Sequence, residues 1–359
     1  MRCFHHPDTL LHRPPQFLVR GQSRPVPEKP ERVAAVLDAL NRRGDRVEQA
    51  PDAGPAPRAA VHSPEYLAFL ETAHARWSAL PDASPAVIPN VHRGPDMHSY
   101  PSSVVGQAGY HMSDTACPIA EGTWAATKAA CDCAVAAARA VAVGAEAAAY
   151  ALCRPPGHHA GGDMAGGFCY LNHAAVAAQD ALGPLAARGL APRVAVFDVD
   201  VHHGNGTQAI FRERDDVFFV SVHADPREFY PFMAGHAHER GTGRGEGFTL
   251  NLPLPLGSSE EGFLAAVSKG LDAIGRFAPS LLVLSLGFDT FKDDPLAAFG
   301  VTTPGFGRLG RAIAGAGLPT VLVQEGGYAV DHLASNLTSF LDGFEAVHRL
   351  PATRSGDPA

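Results

Sequence analysis

The sequence predicts an α/β protein in which one mostly parallel sheet lies between two layers of helices. Two observations carry that expectation. Short apolar runs alternate with longer segments of helical periodicity through the middle and C-terminal parts of the chain, the pattern of a parallel sheet covered by helices. Each of five apolar runs is also followed at once by a polar segment: 150–153 by Gly157-His158-His159, 194–197 by the Asp198 stretch, 217–222 by His223-Ala224-Asp225, 281–286 by Gly287-Phe288-Asp289, and 320–323 by Glu325-Gly326-Gly327-Tyr328. Functional residues of open parallel sheets gather at the carboxyl ends of strands. Five neighbouring strands would bring these groups together, which a single domain explains and two independent domains do not.

Taken in chain order, helices are expected over about 123–142, 172–183, 260–278, 304–317 and 330–347, with a further strand at 248–254. The first is alanine-rich but carries Lys128, Asp132 and Arg139, so it is a buried or half-buried helix. No apolar segment approaches the ~20 residues of a membrane span. The 78–105 region contains Pro, Gly, Asn90, His92 and Arg93 with little periodicity; it is expected to be a long loop of the functional or disordered kind. His5 and His6 read as a solvated loop. Residues 1–350 are expected to form the single domain and 351–359 a frayed tail.

Of the 359 residues, 46% are apolar and 18% charged, so the chain buries a large core. A net charge of −8 disfavours a nucleic-acid partner. The N-terminus lacks the apolar segment of a secretory signal, and the six cysteines form no spacing framework; a reducing, cytoplasmic location is the simplest reading. Cys131, Cys133 and Cys153 read as core.

Asp198, Asp200 and His202 alternate just beyond the 194–197 run. Side chains two apart in an extended chain point the same way, so all three reach one point past the strand end. A polar turn would not need two acids and two imidazoles in this arrangement. Carboxylate and imidazole donors suit a divalent transition metal, zinc above all. Asp200, His202 and Asp289 are the candidate metal ligands, three protein donors being the catalytic form of such a site. His203 is expected to hydrogen-bond rather than ligate. His158 and His159 sit on a Pro-braced turn where an imidazole could serve as general base and then general acid; Asp198 and Asn205 are available to orient them. The Tyr328 hydroxyl is placed to donate to a developing oxyanion, an interaction worth roughly 3–4 kcal/mol. Gly166-Gly167-Phe168 and Phe229-Tyr230-Pro231 supply candidate aromatic walls.

RPPGHHA at 154–160, GGFCYLNHAAVAA at 166–178, DVDVHHGNGTQ at 198–208, SLGFDT at 285–290 and EGGY at 325–328 together resemble the histone deacetylase superfamily, most closely its acetylpolyamine amidohydrolase branch, from about Met1 to about Phe344. The resemblance implies an arginase-like fold with a parallel sheet of about eight strands. It implies zinc on Asp200, His202 and Asp289, His159 as general base and acid, His158 as electrostatic partner, and Tyr328 polarising the carbonyl. Asp198 and Asn205 would then orient His158 and His159 respectively. It further implies structural potassium: one ion on Asp198, Asp200, His202, Ser221 and Val222, a second on backbone oxygens of Phe211, Arg214, Val217 and Phe248.

The implied activity is hydrolysis of the amide of a small acylated amine, an acetylpolyamine above all, by metal-activated water. The loop at 78–105 resembles the insertion through which polyamine deacetylases dimerise, implying a homodimer or dimer of dimers. Asp114, Gly167, Phe168, Tyr230 and Gly326 are the substrate-contact candidates, Asp114 as a rim carboxylate for a distant ammonium. Ala116 precedes Cys117-Pro118 where peptide deacetylases carry an acid, which argues against a peptide clamp; Val105 stands where polyamine enzymes carry a rim Glu. The alternative is a peptide acetyl-lysine deacetylase using the same chemistry.

Overall fold

The computed structural model describes residues 1–348. Eight strands form one sheet: β1 (Arg2–His5), β2 (Arg46–Gln49), β3 (Ala148–Ala151), β4 (Val194–Asp198), β5 (Val217–Ala224), β6 (Thr249–Leu254), β7 (Leu281–Leu286) and β8 (Thr320–Gln324). Their spatial order is β2-β1-β3-β8-β7-β4-β5-β6, and every pairing is parallel. The five strands singled out by their polar sequels are consecutive in the sheet, as the single-domain reading requires.

The period-two alternation of each strand divides the core. Ala195, Phe197, Val220, Val222, Leu282, Leu284 and Leu322 face a layer built from the helices Glu31–Arg43, Glu260–Phe277, Thr303–Gly315 and Val330–Glu345. Val194, Val196, Val217, Phe219, Val283, Val321 and Val323 face the opposite layer, chiefly the alanine-rich helices Thr123–Ala142 and His173–Ala187. Small residues let those two helices pack tightly on the sheet. Cys131, Cys133 and Cys153 are buried there and nearby, as expected of core thiols.

Several boundaries differ from the sequence reading. β3 starts at Ala148, earlier than expected because alanines with little strand propensity hide its start, and ends at Ala151, with the Leu152 N–H making a last bond to the Phe4 carbonyl of β1. The 172–183 helix runs on to Ala187 with Pro184 inside it. β1 and β2 were not anticipated, nor were the helices Glu31–Arg43, Pro64–Ser78 and Val104–His111. His5 and His6 are not a solvated loop. His5 ends β1, half-buried, and the His6 ring accepts the Asp8 N–H at 3.2 Å to cap a short 3₁₀ turn.

Between Ser78 and Val104 the chain has no helix or named strand. It is tied down by reciprocal Val87–Ile119 backbone bonds and by Arg93 N–H on the Gly109 carbonyl, and it exposes Val91, Met97 and Tyr100. The expected tail at 351–359, and the last two residues of the expected domain, lie outside the described residues.

Candidate active site

The segment after β4 turns its side chains inward and satisfies its own backbone. Asp200 N–H donates to Asp198 Oδ1 at 3.1 Å and His202 N–H to Asp200 Oδ1 at 2.9 Å. From β7, Asp289 Oδ1 accepts the Val201 N–H at 2.9 Å; from β8, the Gly326 N–H donates to Asp200 Oδ2 at 2.9 Å. Glycine is required where backbone meets these carboxylates. A Cβ on Gly287 would lie 2.2 Å from Asp200 Oδ2, and one on Gly326 would lie 2.4 Å from Asp289 Oδ2.

Asp200, His202 and Asp289 thereby come together with ligand atoms all within 4.8 Å of one another, and all three are buried. His202 Nδ1 stands 3.2 Å from both Asp200 Oδ1 and Asp289 Oδ2. Burial and the Asp200 charge push the Asp289 carboxyl up to about 7, while the same two acids outweigh burial and hold His202 up at about 9. Two buried carboxylates with an imidazole between them are a donor set that fits a divalent ion. His203 lies outside the group, its Nε2 facing Gln208 Oε1 at 3.0 Å and Asn251 Oδ1 at 3.1 Å.

The turn after β3 brings the tandem imidazoles alongside. His158 Nδ1 meets Asp198 Oδ2 at 2.9 Å. Burial lowers the His158 pKa, but Asp198 and Asp200 more than offset it and raise it to about 10. His159 Nδ1 meets Asn205 Oδ1 at 2.7 Å, a contact that places the ring proton on Nδ1. Burial, then the positive His158 and His202, drive the His159 pKa well below its usual value. The two neighbouring rings are thus pushed in opposite directions, His158 toward its charged form and His159 toward its neutral one. Glu325, to which the sequence alone assigns no role, anchors their turn: its Oε2 accepts the Gly157 N–H at 2.7 Å and the His158 N–H at 3.2 Å, and its Oε1 the Ser285 hydroxyl at 3.0 Å.

Tyr328 is held through its backbone. Asp294 Oδ2 accepts its N–H at 2.6 Å and that of Ala329 at 2.9 Å. Arg32 donates to the Gly327 carbonyl at 2.6 Å and to the Glu325 carbonyl, and its guanidinium lies 5.1 Å over the Tyr328 ring. Fully buried Glu28 pairs with Arg32 at 2.8 Å and Arg154 at 2.9 Å. Burial alone would raise the Glu28 pKa; Arg154 and Arg32 outweigh it and hold it low. No spacing signal in the sequence links Glu28 or Arg32 to a site some 295 residues on, nor Asp294 to the backbone of Tyr328, 34 residues later. Glu28→Ala would leave two buried guanidiniums uncompensated, with an expected loss of about 3–5 kcal/mol of stability. A urea midpoint equal to that of the parent protein would remove this cluster from the support of Tyr328.

The aromatic candidates also converge. Phe168 sits edge-on to Tyr328 at 5.8 Å, Phe229 stacks on the His202 ring at 5.0 Å, and Tyr230 is edge-on to His159 at 5.0 Å. His159, His202, Phe168 and Tyr328 each keep 6–9% of their surface exposed. Asp114 is half-buried against Tyr230 and Gly167. The residues named for potassium form two groups. Asp198 and Ser221 are register partners across β4 and β5, with Val222 next along. Phe211 ends the helix Asn205–Phe211, Arg214 lies in the turn after it and Val217 opens β5, while the Phe248 carbonyl accepts the Phe219 N–H of the same strand.

A parallel α/β/α sheet with acids, imidazoles and a phenol gathered at the carboxyl ends of adjacent strands is the layout of an enzyme. Residues 26–344 match the histone deacetylase domain. The chain is 49% identical to an acetylpolyamine amidohydrolase of Burkholderia pseudomallei over 97% of its length and 99% of the relative's, and 43% identical to acetylpolyamine amidohydrolase 1 of Pseudomonas aeruginosa over 95% and 98%. It superposes on the crystal structure of the acetylpolyamine aminohydrolase from Burkholderia pseudomallei with a TM-score of 0.92, covering 97% of this chain and 99% of that one. The chain belongs to the histone deacetylase family and is a hydrolase of the deacetylase kind.

Proposed function

We propose that this protein is a zinc-dependent amidohydrolase that removes the acetyl group from small acylated amines, acetylpolyamines first among them. The observation that carries the reading is the Asp200-His202-Asp289 cluster standing beside a His159 ring whose Nδ1 is taken by Asn205 and whose Nε2 keeps its lone pair. A divalent ion held by Asp200, His202 and Asp289 would supply Lewis-acid polarisation of the acyl oxygen and a lowered pKa for a water.

The remaining work falls to the chain. His159 Nε2 takes a proton from the attacking water and returns it to the departing nitrogen as the amide C–N bond breaks, yielding acetate and the free amine. His158, paired with Asp198, supplies fixed positive charge beside it. The Tyr328 hydroxyl donates to the acyl oxygen as negative charge develops. Phe168 and Tyr230, with Gly167 beside them, enclose the slender chain of the substrate, and Gly326 leaves room next to Asp200 and Asp289. No Ser or Cys nucleophile is needed.

The names of the full-length relatives support the polyamine class, and Ala116 stands ahead of Cys117-Pro118 where peptide deacetylases carry an acid. We assign structural potassium to two groups, one of Asp198, Asp200, His202, Ser221 and Val222 and the other the backbone oxygens of Phe211, Arg214, Val217 and Phe248. We assign self-association as a homodimer or dimer of dimers to the segment that exposes Val91, Met97 and Tyr100. The buried, unpaired cysteines suit the cytoplasm, and among the described residues no helix is long and apolar enough to cross a membrane.

The test is kcat/KM for acetylputrescine, acetylspermidine and an acetyl-lysine peptide on zinc-loaded protein. A strong preference for the free amines is expected. Peptide turnover equal to or better than theirs would replace the substrate assignment with peptide deacetylation.

A further inference from the structure

We propose that Asp114 is a positioning residue: with the Tyr230 hydroxyl and the Gly167 amide it forms a latch that fixes two walls of the approach to His159 and thereby selects slender acylated amines. The inference rests on the small-amine reading above. Asp114 Oδ2 accepts the Tyr230 hydroxyl at 2.6 Å and the Gly167 N–H at 3.1 Å, and Oδ1 accepts the Ala116 N–H at 2.8 Å. The three donors come from separate parts of the approach. Tyr230 follows β5, Gly167 precedes the helix His173–Ala187, and Ala116 lies on the segment that also accepts the Phe168 N–H, at 3.1 Å.

One carboxylate thus ties the Tyr230 wall to the Phe168 wall. These donors and the adjoining Ser113 hydroxyl, 3.5 Å from Oδ2, are all neutral, and among the described residues no cation pairs with Asp114. A hydroxyl bound to a charged carboxylate is a short, strong contact; a phenylalanine in place of Tyr230 would fill the space without being anchored.

The packing leaves little room for either wall to shift. A Cβ on Gly167 would lie 2.5 Å from the His159 ring and 2.8 Å from the Tyr230 hydroxyl. Gly167 and Phe168 have φ of 50° and 67°. Phenylalanine holds such a left-handed conformation only where its surroundings enforce it, and the two amide bonds to Asp114 and Ala116 do so. Since the Tyr230 ring stands edge-on to His159, loosening the latch would widen the approach and release the substrate from alignment with the base.

Tyr230→Phe removes only the hydroxyl and keeps the packing; Asp114→Ala removes every bond the carboxylate accepts. On zinc-loaded protein, kcat and KM are measured for acetylputrescine and an acetyl-lysine peptide with both variants and the parent. In both variants the amine-to-peptide ratio of kcat/KM is expected to fall about tenfold, the size of one lost bond to a charged acceptor, with part of the loss in kcat for the amine. A general loss of stability would lower both substrates together and leave the ratio in place. An unmoved ratio in Tyr230→Phe overturns the latch, including where Asp114→Ala alone moves it, since that pattern marks Asp114 as acting directly by its charge. A parent protein without preference for the amine overturns the small-amine reading instead.

Discussion

Asp289→Asn protein is expected to purify folded, with its divalent ion largely lost and deacetylation reduced to background. Asparagine keeps the oxygen that accepts the Val201 N–H at 2.9 Å, so the link between β7 and the turn after β4 survives. What it removes is one of two buried negative charges that face His202 Nδ1 at 3.2 Å. Without a cation those charges repel each other, so the metal-free variant should be no less stable than the metal-free parent. With zinc the two should diverge. A ligand that binds only the folded state stabilises by RT ln(1 + [L]/Kd), about 2.7 kcal/mol at a hundredfold excess over Kd. The parent should show that gain in thermal unfolding on zinc addition, and the variant should show little of it at the same concentration. Affinity is expected to drop by more than the ~10–100-fold typical of losing a mere outer partner. Full metal content in the variant, together with the parental zinc-induced shift, would remove Asp289 from the ligand set.

The candidate site was legible because its signals are local. Asp198, Asp200 and His202 alternate within one extended stretch, and each of β3, β4, β5, β7 and β8 carries its polar group directly after an apolar run. Their adjacency in the sheet then brings the groups together. What the sequence hid depends on distant pairing. β1 and β2, Arg-Cys-Phe-His and Arg-Val-Glu-Gln, are four residues each and mix charge with apolar positions, so neither presents a recognisable run. Glu28 and Arg32 look like ordinary helix-start charges until the fold buries them under Gly327 and Tyr328. Asp114 looks like a free rim acid; only the folded chain shows its oxygens engaged by Tyr230, Gly167 and Ala116.

Tyr328→Phe is expected to lower kcat by about 10²–10³, or ~2.7–4 kcal/mol of transition-state stabilisation, with KM nearly unchanged. The hydroxyl has no hydrogen-bond partner among the described residues, whereas the rest of the residue is held firmly. Its backbone rests on Asp294, and its ring lies between the Arg32 guanidinium at 5.1 Å and Phe168 at 5.8 Å. Burial pushes its pKa well above the usual tyrosine value, against the pull of Arg32, so the group stays a neutral donor. Phenylalanine preserves every ring contact and deletes only that donor. Zinc content and thermal midpoint should therefore match the parent protein. If kcat and kcat/KM fall together, the lost interaction was made in the transition state alone. A loss carried by KM would instead mean that Tyr328 binds substrate in the ground state, and a loss below tenfold would leave carbonyl polarisation to the rest of the site.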